Sequence, residues 1–156
     1  MTATDDLAPW IATLEELRRM PLPREEVEGD DVWGGSGPGF HVRTLGRSDG
    51  FGRSAEGDRA AEVAGRRWEE TFRRFVGVLE RHWGAEADGA LDAMALLYDH
   101  LDGTPLPPAL DWLAEHEEVG EIYLWRWPDR LVGVNLFQED DTQPLVVVAF
   151  TSEPEP

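Results

Sequence analysis

The strongest constraint on the fold lies in the last third of the chain. Three short runs dense in β-branched and aromatic residues follow one another there: 121–127 (EIYLWRW), 130–138 (RLVGVNLFQ) and 144–150 (PLVVVAF). Pro128-Asp129 separates the first pair and residues 139–143 the second, both turn-forming chemistries, so a three-stranded antiparallel meander is expected. Side chains alternate across a strand, which sends Tyr123, Trp125 and Trp127 to one face and Ile122, Leu124 and Arg126 to the other. A two-residue turn at Pro128-Asp129 sets Trp127 opposite Arg130, Trp125 opposite Val132 and Tyr123 opposite Val134. Pro does not favour the primed hairpin turns, and a longer loop would flip these assignments. The second face gathers Leu131, Gly133, Asn135 and Phe137 with Ile122 and Leu124. Both faces are apolar, and such a sheet cannot stand alone in water.

The covers are also written in the sequence. Residues 58–83 repeat Ala61, Ala64, Trp68, Phe72, Phe75, Leu79 and Trp83 at steps of three and four, an amphipathic helix of about seven turns. Glu62 with Arg66, Glu69 with Arg73 and Glu70 with Arg74 stand four apart in the favourable order, each pair contributing ~0.2–0.5 kcal/mol. This helix is expected over one face. The other face falls to the first helix and a glycine-rich segment, or to a partner. Residues 6–19 align Leu7, Trp10, Ile11, Leu14 and Leu17, and Pro21 and Pro23 stop that helix. A helix over 88–101 is expected to turn Leu91, Met94, Ala95, Tyr98 and Leu101 inward, and one from Pro107-Pro108 to His116 to bury Leu110 and Leu113. Apart from a short strand over 40–45, residues 29–57 read as a flexible Gly-rich loop, and 151–156 as a disordered tail. The expectation is one α+β domain over 1–156, with an N-terminal helix, a long central helix and two shorter helices packed on a C-terminal three-stranded antiparallel meander.

Charge narrows the partners. The net charge is −18, every one of the 14 basic residues is Arg, and the imbalance is uneven. Residues 41–82 carry nine Arg against seven acids, whereas 83–156 carry sixteen acids against Arg126 and Arg130. Such a surface repels nucleic acid and anionic membrane and favours a cationic partner. With no cysteine, disulfide frameworks, thiolate metal sites and cysteine nucleophiles are excluded. The acidic N-terminus lacks the apolar core of a secretion signal, and no stretch approaches the ~20 apolar residues of a membrane span, so a cytoplasmic protein is expected. The lack of Lys beside abundant Arg, Ala and Gly is the codon signature of a high-GC bacterial genome.

Catalytic and cofactor motifs do not emerge. His41, His82, His100 and His116 lie on separate elements without metal-ligand spacing, and a histidine at a helix C-terminus is accounted for by the helix dipole. Gly34–Gly39 (GGSGPG) lacks the Lys-Ser/Thr ending of a phosphate loop and the flanking strand and helix of a dinucleotide fingerprint. Ser36, Ser48, Ser54 and Ser152 have no nucleophile-elbow context. No cofactor or metal is expected, and an enzyme is not favoured.

The expected function is therefore a non-enzymatic acidic domain that binds a basic protein. Glu117, Glu118, Asp129, Glu139, Asp140 and Asp141 are the candidate charge contacts. Tyr123, Trp125 and Trp127 are candidate anchors if their face is open. In general plan, with helices first, antiparallel strands last, and an acidic, cysteine-free composition, the chain resembles the loose class of bacterial immunity and inhibitor proteins. That likeness implies capture of a basic target and transfers no residue roles. One alternative is a small-molecule-binding or hydrolytic domain, its pocket between sheet and long helix lined by Trp68, Phe72, Tyr123 and Trp125, with His82 or His100 as the polar group. Another is a homodimer formed through the sheet.

Overall fold

The computed structural model describes residues 7–29, 31–48, 55–83, 89–140 and 142–154. In chain order the elements are α1 (Ala8–Arg19), β1 (Gly35–Gly37), β2 (Phe40–Arg47), α2 (Ala55–Trp83), β3 (Gly89–Leu91), α3 (Ala93–Leu101), α4 (Pro108–Glu115), β4 (Glu121–Arg126), β5 (Leu131–Gln138) and β6 (Leu145–Ser152). The strands form one antiparallel sheet in the order β1-β2-β6-β5-β4-β3. The mixed α+β class holds, but the limit of three strands does not. The meander β4–β5–β6 sits inside a wider sheet. Among the described residues no helix is long and apolar enough to cross a membrane.

Register follows the short turn. Trp125 pairs with Val132 and Tyr123 with Val134, and Trp127 and Arg130 exchange backbone hydrogen bonds across Pro128-Asp129. One face of the sheet then carries Trp125, Trp127, Val132 and Val134, covered by Trp10, Leu14 and Leu17 of α1 and by Trp68, Phe72, Phe75, Leu79 and Trp83 of α2. Burial on α2 is complete only from Trp68 onward; the turns before it are largely exposed. The helix α1 thus joins α2 on the aromatic face instead of covering the opposite one. Arg130 fixes it there, donating from Nη1 to the carbonyls of Leu17 (3.0 Å) and Met20 (2.6 Å) at the helix end.

The opposite face belongs to α3 and α4. Ala109, Leu110 and Leu113 of α4 pack on Phe40, Val42, Val148 and Phe150, each fully buried Leu contributing roughly 1.5–3 kcal/mol. Pro107 has no side chain able to cap α4, so the cap comes from elsewhere. The Ala109 N–H donates to Ser152 Oγ at the end of β6 (3.0 Å). Thr151 and Ser152 are consequently buried strand residues and not part of a loose tail.

Two further expectations are corrected here. The short strand expected over 40–45 is β2, but residues 35–37, read as flexible loop, form β1 and join it around a tight turn at Pro38-Gly39, where Gly39 takes φ +83°. Pro followed by a left-handed Gly is the signature of a type II turn. Second, the helix expected over 88–101 begins only at Ala93, and residue 88 lies outside the described residues. Gly89–Leu91 joins the sheet edge, and Asp92 caps α3 by accepting from the N–H groups of Met94 (3.0 Å) and Ala95 (3.2 Å). The inward face of α3 becomes Ala93, Leu96 and Leu97, which leaves Met94, Tyr98 and Leu101 outside.

Gly133 marks close packing on the α4 side. A methyl there would collide with the Phe150 ring and sit 2.7 Å from the Tyr123 carbonyl oxygen. Strand propensity alone favours Ala over Gly. Steric overlap on a central strand outweighs it, and Gly133→Ala is expected to lose ~1–3 kcal/mol, read as a lower urea midpoint. An unchanged or raised midpoint would mean that the Phe150 ring yields.

Candidate functional site

The residues singled out by sequence divide into three groups. Trp125 and Trp127 lie in the core at 4% and 7% exposure, with Trp83 edge-on to both at 5.4 and 5.5 Å between ring centroids. The open face that would make them anchors is closed by α2. Arg18 lays its guanidinium 4.5 Å over the Trp127 ring. Tyr123 is half-buried, packs on Phe72 and donates to Glu121 Oε1 (2.9 Å). That hydrogen bond, with burial adding to it, raises the phenol above its usual range. Trp68, Phe72 and Trp125 fill the space between sheet and long helix, where they were expected to line a pocket.

The acids do not form one patch. Asp129 is exposed in the β4–β5 turn, paired with Arg130 at 3.0 Å. Glu139 and Asp140 lie in the turn at the other end of β5, about 25 Å away at the rise of an extended strand. Asp140 accepts from the Thr142 N–H (2.8 Å) and hydroxyl (2.7 Å), which shapes that turn. Asp141 lies outside the described residues. Glu117 is exposed, with φ 56° just past α4.

Glu118 is the informative member. Only 4% exposed, it has one carboxylate oxygen, Oε2, with no hydrogen-bond partner. Its main-chain carbonyl accepts from Asn135 Nδ2 (2.5 Å), while Asn135 Oδ1 accepts from the Gly120 N–H (3.0 Å). Burial pushes its carboxyl up to about 7, and the charges of Glu139 and Asp31 push the same way. Asp31 is held by β2, accepting from the Thr44 N–H (2.7 Å) and hydroxyl (2.5 Å). Segments far apart in sequence therefore bring Asp31, Glu118 and Glu139 within electrostatic reach at one end of the sheet.

Beside this acidic end, between residues 26–36 and α4, opens a pocket of about 580 Å³ lined by Glu26, Glu28, Asp31, Ser36, Arg43, Trp112 and His116. His116 stacks on Trp112 at 4.1 Å and shares a hydrogen bond between Nδ1 and the Trp112 carbonyl (2.8 Å), a helix-end contact. Sequence reasoning missed one pair here. Ser36 Oγ lies 2.6 Å from His41 Nδ1, and His41 Nε2 lies 3.1 Å from the Pro21 carbonyl oxygen. A carbonyl only accepts, so Nε2 carries the proton, and in the neutral ring Nδ1 accepts from the Ser36 hydroxyl. The signal available was the Pro38-Gly39 turn, which makes Ser36 and His41 cross-strand neighbours. The orienting group is a neutral carbonyl and not the carboxylate that orients the histidine of a catalytic triad. It ties residue 21 to the hairpin. Among the described residues no group of three His, Asp or Glu side chains is placed to hold a metal ion.

Comparison with protein-family models, with curated proteins and with solved structures finds no match to this chain.

Proposed function

We propose that the protein is a non-enzymatic binding domain, of immunity or inhibitor type, that engages a basic protein through its acidic end. The observation carrying this reading is the convergence of Asp31, Glu118 and Glu139 from three separate segments. Like charges brought together cost free energy, and a docked guanidinium or ammonium relieves that cost. Exposed Glu117, Glu139 and Asp140 supply contacts, and buried Glu118 adds its charge to theirs only as the pH rises above about 7. Such a field steers a cationic partner and can raise association rates to ~10⁸–10⁹ M⁻¹s⁻¹ at low salt. Asp129, at the far end of β5 and paired with Arg130, drops out of this surface.

The test is capture of basic proteins from the native host, by the parent chain and by a Glu139→Gln/Asp140→Asn double variant, at low and high salt. A loss of about tenfold in retained protein is expected from either change. Capture indifferent to both salt and substitution would overturn the reading. Light scattering of the isolated chain checks the competing homodimer.

A further inference from the structure

The helix α3 turns an apolar stripe to solvent. Met94, Tyr98 and Leu101 are 55%, 65% and 80% exposed, and their spacing of four and three places them on one helical face. The neighbouring sheet edge is also open. β3 pairs with β4 only from Leu124 to Arg126, so residues 121–123 have no outer strand among the described residues. A groove of about 330 Å³ runs between this edge and α3, walled by Ala93, Met94, Leu97 and Ile122. A continuous apolar stripe beside an apolar groove is surface that a free monomer ordinarily keeps small.

Charge indicates what covers it. Asp92, Asp99, Asp102 and Glu121 border the stripe and groove, and the sequence has no Arg or Lys between Trp83 and Trp125. Arg73 of α2 lies 3.7 Å from Glu121 Oε1, and Arg126 stands at the far end of β4. A second copy of the chain brings the same net charge of −18 and the same acidic border, so self-association is opposed by repulsion. We propose that α3 and the free edge of β4 form the docking surface for an amphipathic helix of the basic partner. Its large apolar side chains lie on Met94, Tyr98 and Leu101 and enter the groove, and its Arg or Lys residues meet the acidic border. This rests on the reading of the protein as a binder of basic partners and places the apolar part of the contact.

The experiment uses two synthetic peptides of about 18 residues, identical in Leu and Arg content. One arranges Leu at helical spacing, and the other scrambles it. Calorimetric titration at low salt compares the parent chain with a Met94→Ser/Leu101→Ser variant, whose changes lie on exposed positions and whose fold is checked by circular dichroism. The parent is expected to bind the amphipathic peptide about tenfold or more tightly than the scramble, and the variant to lose that advantage while still binding the scramble. If both peptides bind both chains equally, the docking surface is refuted while the acidic reading survives. If neither peptide binds, the acidic reading fails and takes the docking surface with it. Sedimentation showing a parent dimer that the variant abolishes would assign the stripe to a second copy and overturn the proposal.

Discussion

Replacing Trp83 with alanine is expected to cost about 3–5 kcal/mol of folding stability, a large share of the roughly 5–15 kcal/mol that holds a domain of this size. Trp83 is fully buried at the end of α2, edge-on to both Trp125 and Trp127. Its Nε1–H donates to Glu15 Oε1 at 2.7 Å, while the same carboxylate holds Arg18 at 2.8 Å and faces His82 at 3.3 Å. Burial alone would raise Glu15. Hydrogen bonds from Trp83 and Arg18, with the charges of Arg18 and Arg19, outweigh burial and hold the carboxyl below its usual range. The substitution therefore opens a cavity between α1, α2 and the sheet and also strips a partner from a partly buried acid. Urea denaturation reads the loss as a lower midpoint. Trp83→Phe keeps an aromatic ring and removes the donor, and is expected to cost about 1–2 kcal/mol. An alanine variant within about 1 kcal/mol of the parent would show that the tryptophan cluster is not the centre of the core.

The second large effect is a dependence on pH with an uncommon sign. Glu118 titrates from a usual value of 4.5 up to about 7 in the folded chain. Between those values the folded state holds a proton that the unfolded state has released, so unfolding releases protons. Stability falls as pH rises through this window and levels above it, by up to ~3 kcal/mol from this group. Glu118→Gln has no proton to lose. Its main-chain bond to Asn135 is unaffected, so near pH 5 it is expected to match the parent, and near pH 8 to exceed it by ~2–3 kcal/mol. The difference between parent and variant, followed by urea midpoint against pH, isolates this residue from the other acids. A flat difference profile would mean that water or a rearranged neighbour already satisfies the carboxylate.

Much of the architecture was legible where local rules act without competition. The Pro128-Asp129 turn fixed the pairing of Trp125 with Val132, and the seam from Trp68 to Trp83 identified α2 as a cover of the sheet. Legibility failed where two periods fit the same letters. Residues 88–101 contain a helical spacing, but Asp92 binds the N–H groups of Met94 and Ala95 and starts the helix later, which rotates its buried face. The Gly-rich run concealed a hairpin because a three-residue strand of Gly-Ser-Gly carries no apolar alternation, and only the Pro38-Gly39 pair marked it. Of the candidate site, the acidic loops were visible in composition. Their meeting was not, because it depends on β2 holding Asp31 beside a segment that follows α4. The closure of the tryptophan face was invisible for the same reason, since it required knowing that α1 and α2 share one side.

The strand order carries a consequence for biosynthesis. The hairpin of β1 and β2 is translated early, yet its partner within the sheet is β6, the last strand to emerge. Until then its inner edge has nothing to bond with, and α4 lacks the serine that completes its first turn. Assembly of the middle of the molecule must wait for the ribosome to deliver residues 145–152, so the nascent polypeptide passes through a long interval with an unpaired edge and exposed apolar surface. The many carboxylates, whatever they come to meet in the finished molecule, keep such half-made chains apart.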